Sequence, residues 1–85
     1  MWNDRLRITE TAERDFHALT GDERAAVRDA LQRIDDDPIA GAPLFDPLKG
    51  LWSYRVGALR IIYRIVAEAR FIVVLTIARV RQSAR

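Results

Sequence analysis

The sequence predicts an α+β fold: two N-terminal helices packed on one face of a mostly antiparallel four-stranded sheet, in the order β-α-α-β-β-β. Three observations carry this prediction. The first half contains two stretches with apolar residues at helical spacing, the second half contains three strand-like runs, and the joints between those runs are short enough to force hairpins. At 85 residues and with no cysteine, the chain reads as one domain, residues 1–85, with a modest core and no disulfide to reinforce it.

The run Asn3-Asp4-Arg5-Leu6-Arg7-Ile8 alternates polar and apolar at its end, as a short edge strand does. Thr9 or Thr11 is placed to cap a helix over about 10–19, whose apolar residues Ala12, Phe16 and Leu19 recur at i, i+4 and i+7. Gly21 is expected to end it. Asp22 then caps a second, thirteen-residue helix over 22–34, with Ala26, Val27, Ala30, Leu31 and Ile34 on one stripe and Asp35-Asp36-Asp37-Pro38 as its stop. Residues 38–50 hold all three prolines and two of the four glycines, and so form the long loop of the chain. Strands follow at 51–56, 59–66 and 71–78, joined by Gly57-Ala58 and Ala67-Glu68-Ala69 into an antiparallel meander.

Strand alternation assigns the faces. Leu59, Ile61, Tyr63 and Ile65 point one way and Arg60, Ile62, Arg64 and Val66 the other, just as Trp52, Tyr54 and Val56 separate from Ser53 and Arg55. The apolar sets belong under the helices, so Arg55, Arg60 and Arg64 line an open face. The final strand is apolar on both faces until Ala78, as a central strand is, and then runs into Arg79-Val80-Arg81-Gln82.

The net charge of +2 hides an asymmetry. Residues 1–50 carry seven bases and eleven acids, a balance of −4, whereas residues 51–85 carry seven bases and a single acid, Glu68, a balance of +6. A basic half on an acidic half points to a surface built for polyanions. Thirteen of the fourteen bases are arginine, Lys49 being the lone lysine. The lack of cysteine removes thiolate nucleophiles and cysteine metal sites and suits the cytoplasm. The apolar run at 71–78 is eight residues, far below the roughly 20 that span a bilayer. Neither a membrane partner nor a secretion signal is expected. Three consecutive carboxylates at 35–37 diverge around a helix end, so no metal and no cofactor is implied. His17, Tyr63, Trp52 and Tyr54 are assigned to structural roles.

The succession Leu48-Lys49-Gly50, Trp52-Ser53-Tyr54-Arg55-Val56-Gly57, Leu59-Arg60-Ile61-Ile62-Tyr63-Arg64-Ile65, Val73-Val74-Leu75 and Ala78-Arg79-Val80-Arg81 resembles the core of the RelE/ParE superfamily of type II toxin–antitoxin toxins. Thr11-Ala12-Glu13-Arg14-Asp15-Phe16 resembles the opening of that family's first helix, so the likeness spans roughly residues 5 to 82. The RelE type implies a metal-independent, ribosome-dependent mRNA endoribonuclease (an mRNA interferase) that inhibits translation. Its partners would be the ribosome, mRNA and a cognate antitoxin. In that chemistry a 2′-hydroxyl attacks the adjacent phosphate, and guanidinium groups stabilise the doubly charged transition state.

By this resemblance Arg60 is the main phosphate stabiliser, Arg55 a second basic position, and either Arg79 or Arg81 the arginine at the end of the last strand, a one-residue register or a bulge separating the two. Lys49, Arg64 and Ser53 are candidate RNA contacts. Ser53 stands where several active members carry lysine, and no C-terminal tyrosine precedes Arg85, so no general base is named. Those departures favour the alternative, a ParE-like non-enzymatic inhibitor of DNA gyrase; a degenerate toxin that only binds its antitoxin is a third reading. The L-K-G and R-x-x-Y elements and the short second helix favour the ribonuclease. Arg70, away from the motif, is expected to be an inert control.

Overall fold

A computed structural model describes residues 5–68 and 70–80. The chain forms β1 (Leu6–Ile8), α1 (Glu10–His17), α2 (Gly21–Asp36), a 3₁₀ turn (Pro38–Ala40), β2 (Ala42–Pro43), β3 (Leu51–Val56), β4 (Leu59–Val66) and β5 (Phe71–Arg79). The sheet has five strands in the order β1-β5-β4-β3-β2, one more than the sequence predicts. The extra strand is the two-residue β2, hidden in the proline-rich loop; Pro43, which lacks a ladder donor, is tolerated there because β2 is an edge. β1 pairs in parallel with β5, and the other pairings are antiparallel. β1 begins at Leu6; Asn3 and Asp4 lie outside the described residues.

Local chemistry sets the helix ends, and it differs from the expectation at three of them. Thr9 caps α1, its hydroxyl accepting from the Ala12 amide at 3.0 Å. The same hydroxyl donates to the Leu75 carbonyl at 2.8 Å, so one side chain both starts the helix and fastens it to β5. α1 stops at His17, before Gly21, because Arg24 donates to the His17 and Leu19 carbonyls (3.2 and 2.6 Å) and takes over the acceptors that the helix leaves open. Gly21 is instead the first residue of α2. Thr20 caps that helix in a reciprocal pair: its hydroxyl accepts from the Glu23 amide (3.1 Å) while the Glu23 carboxylate accepts from the Thr20 amide (3.0 Å). With Asp35 and Asp36 also helical, α2 runs to 16 residues rather than thirteen.

One face of the sheet packs on the helices. Val27, Ala30, Leu31 and Ile34 from α2 and Ala12 and Phe16 from α1 meet Leu59, Ile61, Tyr63, Ile72, Val74 and Ile77, all buried. Each buried Val, Leu, Ile or Phe among them contributes about 1.5–3 kcal/mol, so truncating a central one such as Leu31 to Ala is expected to cost roughly 2–5 kcal/mol. Trp52, Tyr54, Val56 and Ile65 pack at the edge of this core, as expected. Asp15 completes the β5 edge beyond β1, accepting from the Thr76 hydroxyl (2.7 Å) and the Ile77 amide (2.9 Å). Asp35, Asp36 and Asp37 diverge: Asp35 pairs with Arg5 at 3.6 Å, Asp36 accepts from Gln32, and Asp37 ends the helix.

Candidate functional site: the arginine face of the sheet

The second face carries the cations. A two-residue hairpin joins β3 and β4, with Gly57 at φ 57, the positive angle required at the first central position of a type II′ turn. That turn puts Arg55 directly opposite Arg60 and Ser53 opposite Ile62, while Tyr54 faces Ile61 and Trp52 faces Tyr63 on the core side. Arg55, Arg60 and Arg64 are exposed, and among the described residues none has an ion pair. Arg55 is held in place by its Nε, which donates to the Gly57 carbonyl at 2.8 Å and leaves its terminal nitrogens outward. Like charges directly opposite one another on a sheet are destabilising, so the Arg55–Arg60 pair is a feature that folding alone does not favour.

The remaining predicted residues spread out from this pair. Arg64 is four residues along β4, about 13 Å from Arg60 at the rise of an extended strand. Ser53 is half-buried between the two arginine rows. Lys49 is exposed on the turn before β3, at the Arg64 end of the sheet and away from Arg55 and Arg60. Arg81 lies outside the described residues.

Arg79 is drawn to the helix side by a bulge. Ile62 pairs with Thr76 but Tyr63 pairs with Val74, so Leu75 is an extra residue in β5 and every side chain after it changes face. Arg79 consequently pairs with Leu59 and joins Glu23 of α2 at 3.0 and 3.4 Å, whereas Ala78 stands opposite Arg60. Hydrogen bonds from Arg79 hold the Glu23 carboxyl below its ordinary value of 4.5.

No strand residue of the open face, among those described, is Asp, Glu, His, Lys or Tyr. The described strand residues of the face can therefore stabilise negative charge but offer no ordinary proton acceptor. Tyr63 is fully buried; its hydroxyl donates to the Pro38 carbonyl (2.7 Å) and accepts from the Gly41 amide (3.1 Å), and burial raises its pKa. His17 is exposed on α1, beside Glu13, on the opposite side of the sheet. Among the described residues no group of three or more His, Cys, Asp and Glu could hold a metal. No helix of the described residues is long and apolar enough to cross a membrane.

One cation was not singled out by the sequence pattern. Arg7 alternates with the core residues Leu6 and Ile8, and the parallel register sets it opposite Val73, which is itself opposite Arg64. Its guanidinium lies over the Phe71 ring, 4.0 Å from the centroid. The polar–apolar alternation of β1 was the available signal, but it gains meaning only once β1 is known to adjoin β5.

Fold and face together define the class: a small α+β domain with two helices on one side of a mixed sheet and a bare cationic surface on the other. A sequence model of the ParE toxin family of type II toxin-antitoxin systems, parDE, matches residues 6–84, and the chain belongs to this RelE/ParE superfamily of toxins. Toxin RelG of Mycobacterium tuberculosis is 38% identical over 74 residues, covering 85% of each chain. A chain of the toxin-antitoxin complex RelBE2 from Mycobacterium tuberculosis superposes with a TM-score of 0.81 at 36% identity, over 87% of this chain and 94% of that one. The isolated E. coli RelE toxin shares the fold with a TM-score of 0.79 at 17% identity, over 92% and 85% of the two chains.

Proposed function

We propose that this toxin is a ribosome-dependent mRNA endoribonuclease that arrests translation, with the whole chain acting as one toxin domain. The observation that carries this reading is the Arg55–Arg60 pair, two exposed guanidinium groups directly opposite on rigid strands, with no ion pair to a carboxylate among the described residues. Such a pair suits an RNA phosphate whose charge rises to about −2 when the neighbouring 2′-hydroxyl attacks it. Arg60 is the main stabiliser, Arg55 the second, and Arg64, Ser53 and Lys49 contact the strand on either side. Substrate alignment would come from the ribosome, and so would proton transfer, which no described strand residue of the open face is suited to perform.

A cognate antitoxin is the second partner. The relative from Mycobacterium tuberculosis was solved in a toxin-antitoxin complex, and an acidic or amphipathic segment would cover a face of this charge.

A gyrase-inhibiting reading is favoured by one observation, the capture of Arg79 by Glu23 on the helix side, which removes a third arginine from the face. Primer extension on an mRNA after brief induction, run beside a gyrase supercoiling assay, separates the two. Breaks within codons support the ribonuclease, and trapped DNA cleavage complexes with intact mRNA would sink it.

A further inference from the structure

Arginines also gather at the opposite end of the sheet from the Arg55–Arg60 pair. A cleft of about 540 Å³ opens there, lined by Ile65, Val66, Ala67, Arg70, Phe71 and, on its helix side, Arg5, which is already paired with Asp35. Its volume is within the range of small-ligand sites. Arg7 lies over the Phe71 ring beside it, and Arg64 and Arg7 flank Val73 in one cross-strand row, about 10 Å apart at the usual strand spacing.

An independent sign comes from the backbone. Arg70 has φ 60, and it is the only described residue other than glycine in the left-handed region. A long side chain is disfavoured there, and glycine or asparagine would serve the turn better. Arg70 therefore gives nothing to the turn that glycine would not, yet it lines the cleft with a residue that carries a positive charge. Strain of this kind gathers at binding sites.

We propose that this end of the sheet is a second nucleotide subsite, in which one base of single-stranded RNA stacks on the Arg7–Phe71 pair while Arg70 and Arg64 hold the adjoining phosphates. The proposal rests on the RNA reading of the arginine face and extends it. The chemistry is that of other single-strand binders: an aromatic or guanidinium plane for the base and arginines along the backbone. The separation of about 13 Å along β4 between Arg60 and Arg64 leaves room for intervening backbone, so the subsite would grip RNA away from the phosphate that reacts.

The test is fluorescence anisotropy with a labelled single-stranded hexaribonucleotide at low salt, on wild type, Arg70→Gly, Phe71→Leu and Arg60→Ala. Arg70→Gly and Phe71→Leu are each expected to weaken binding about ten-fold. Arg70→Gly should melt no lower than wild type, because the substitution relieves the left-handed residue. Wild-type affinity in both variants, with Arg60→Ala weakened, overturns the subsite and spares the arginine face. No binding by any form, wild type included, overturns the subsite, while the ribonuclease reading is decided separately by primer extension. A ten-fold loss for an acidic peptide but none for RNA in Arg70→Gly also overturns the proposal and assigns the cleft to a protein partner.

Discussion

At the scale of single residues, the proposed ribonuclease activity rests most heavily on Arg60. Its side chain makes no core contact, so Arg60→Ala is expected to leave the fold intact and to relieve the repulsion from Arg55, while activity falls about 10²- to 10³-fold, or roughly 3–4 kcal/mol of transition-state stabilisation. Growth inhibition on induction and circular dichroism of the purified variant check the two halves. Arg60→Lys keeps the charge but not the two-pronged geometry, and should retain part of the toxicity. Arg33, exposed on α2, is a better control than Arg70, whose backbone angle and position on the cleft make it a poor neutral site. A different residue carries a pH signature. Glu23 is held below 4.5 first by its hydrogen bond to Arg79, so its contribution is present above that value and is lost as pH falls through its depressed folded pKa. Glu23→Gln preserves the helix cap and removes the charge. Wild type should therefore be the more stable of the two at neutral pH, with the difference closing as pH falls through that depressed value, as followed by urea unfolding across the range.

At the scale of elements, the informative pieces are those that period-2 and period-3.6 patterns do not encode. β4 was legible residue by residue, because Leu59, Ile61 and Tyr63 alternate without interruption against Arg60, Ile62 and Arg64, and their burial follows that alternation. β5 was not, since a run of apolar residues suits either face and conceals a bulge. The extra Leu75 decides between the faces for Arg79, and only the pairing with Thr76 and Val74 reveals it. Helix stripes were equally readable, but the end of α1 depends on Arg24 reaching back from α2, a tertiary contact with no local signature. The loop before β3 is fixed in the same non-local way. Tyr63 reaches out of the core to hold Pro38 and Gly41, and a Cβ on Gly41 would lie 2.6 Å from the Tyr63 oxygen and 2.8 Å from the Ser53 carbonyl. Gly41→Ala is thus expected to be destabilising, because the Ser53 obstacle is backbone and cannot swing aside. Tyr63→Phe should cost about 1–3 kcal/mol by leaving two polar groups without their partner, measurable as a shift in denaturant midpoint with the m-value unchanged.

At the scale of the whole molecule, charge and stability are divided between the two sides of one sheet. The helices and core hold the fold, while Arg55 and Arg60 on the other side add repulsion. A small domain arranged in this way gains from a partner that neutralises the bare face, and binding only the folded form raises the melting point by mass action. The toxin bound to its antitoxin is expected to melt well above the free toxin; equal melting points, or failure of the neighbouring gene product to co-purify, would count against that partner. The topology has its own consequence for synthesis. β5 is made last among the described strands, yet it lies between β1 and β4, and the pairing of Leu6 with Ile72 joins residues 66 positions apart. A nascent chain emerging N-terminus first can form both helices and the β3–β4 hairpin, but it leaves β1 without a neighbour and the core without Ile72, Val74 and Ile77. The sheet closes only once residues 71–79 are free of the ribosome that made them, so a half-made copy of the toxin does not yet carry the finished surface.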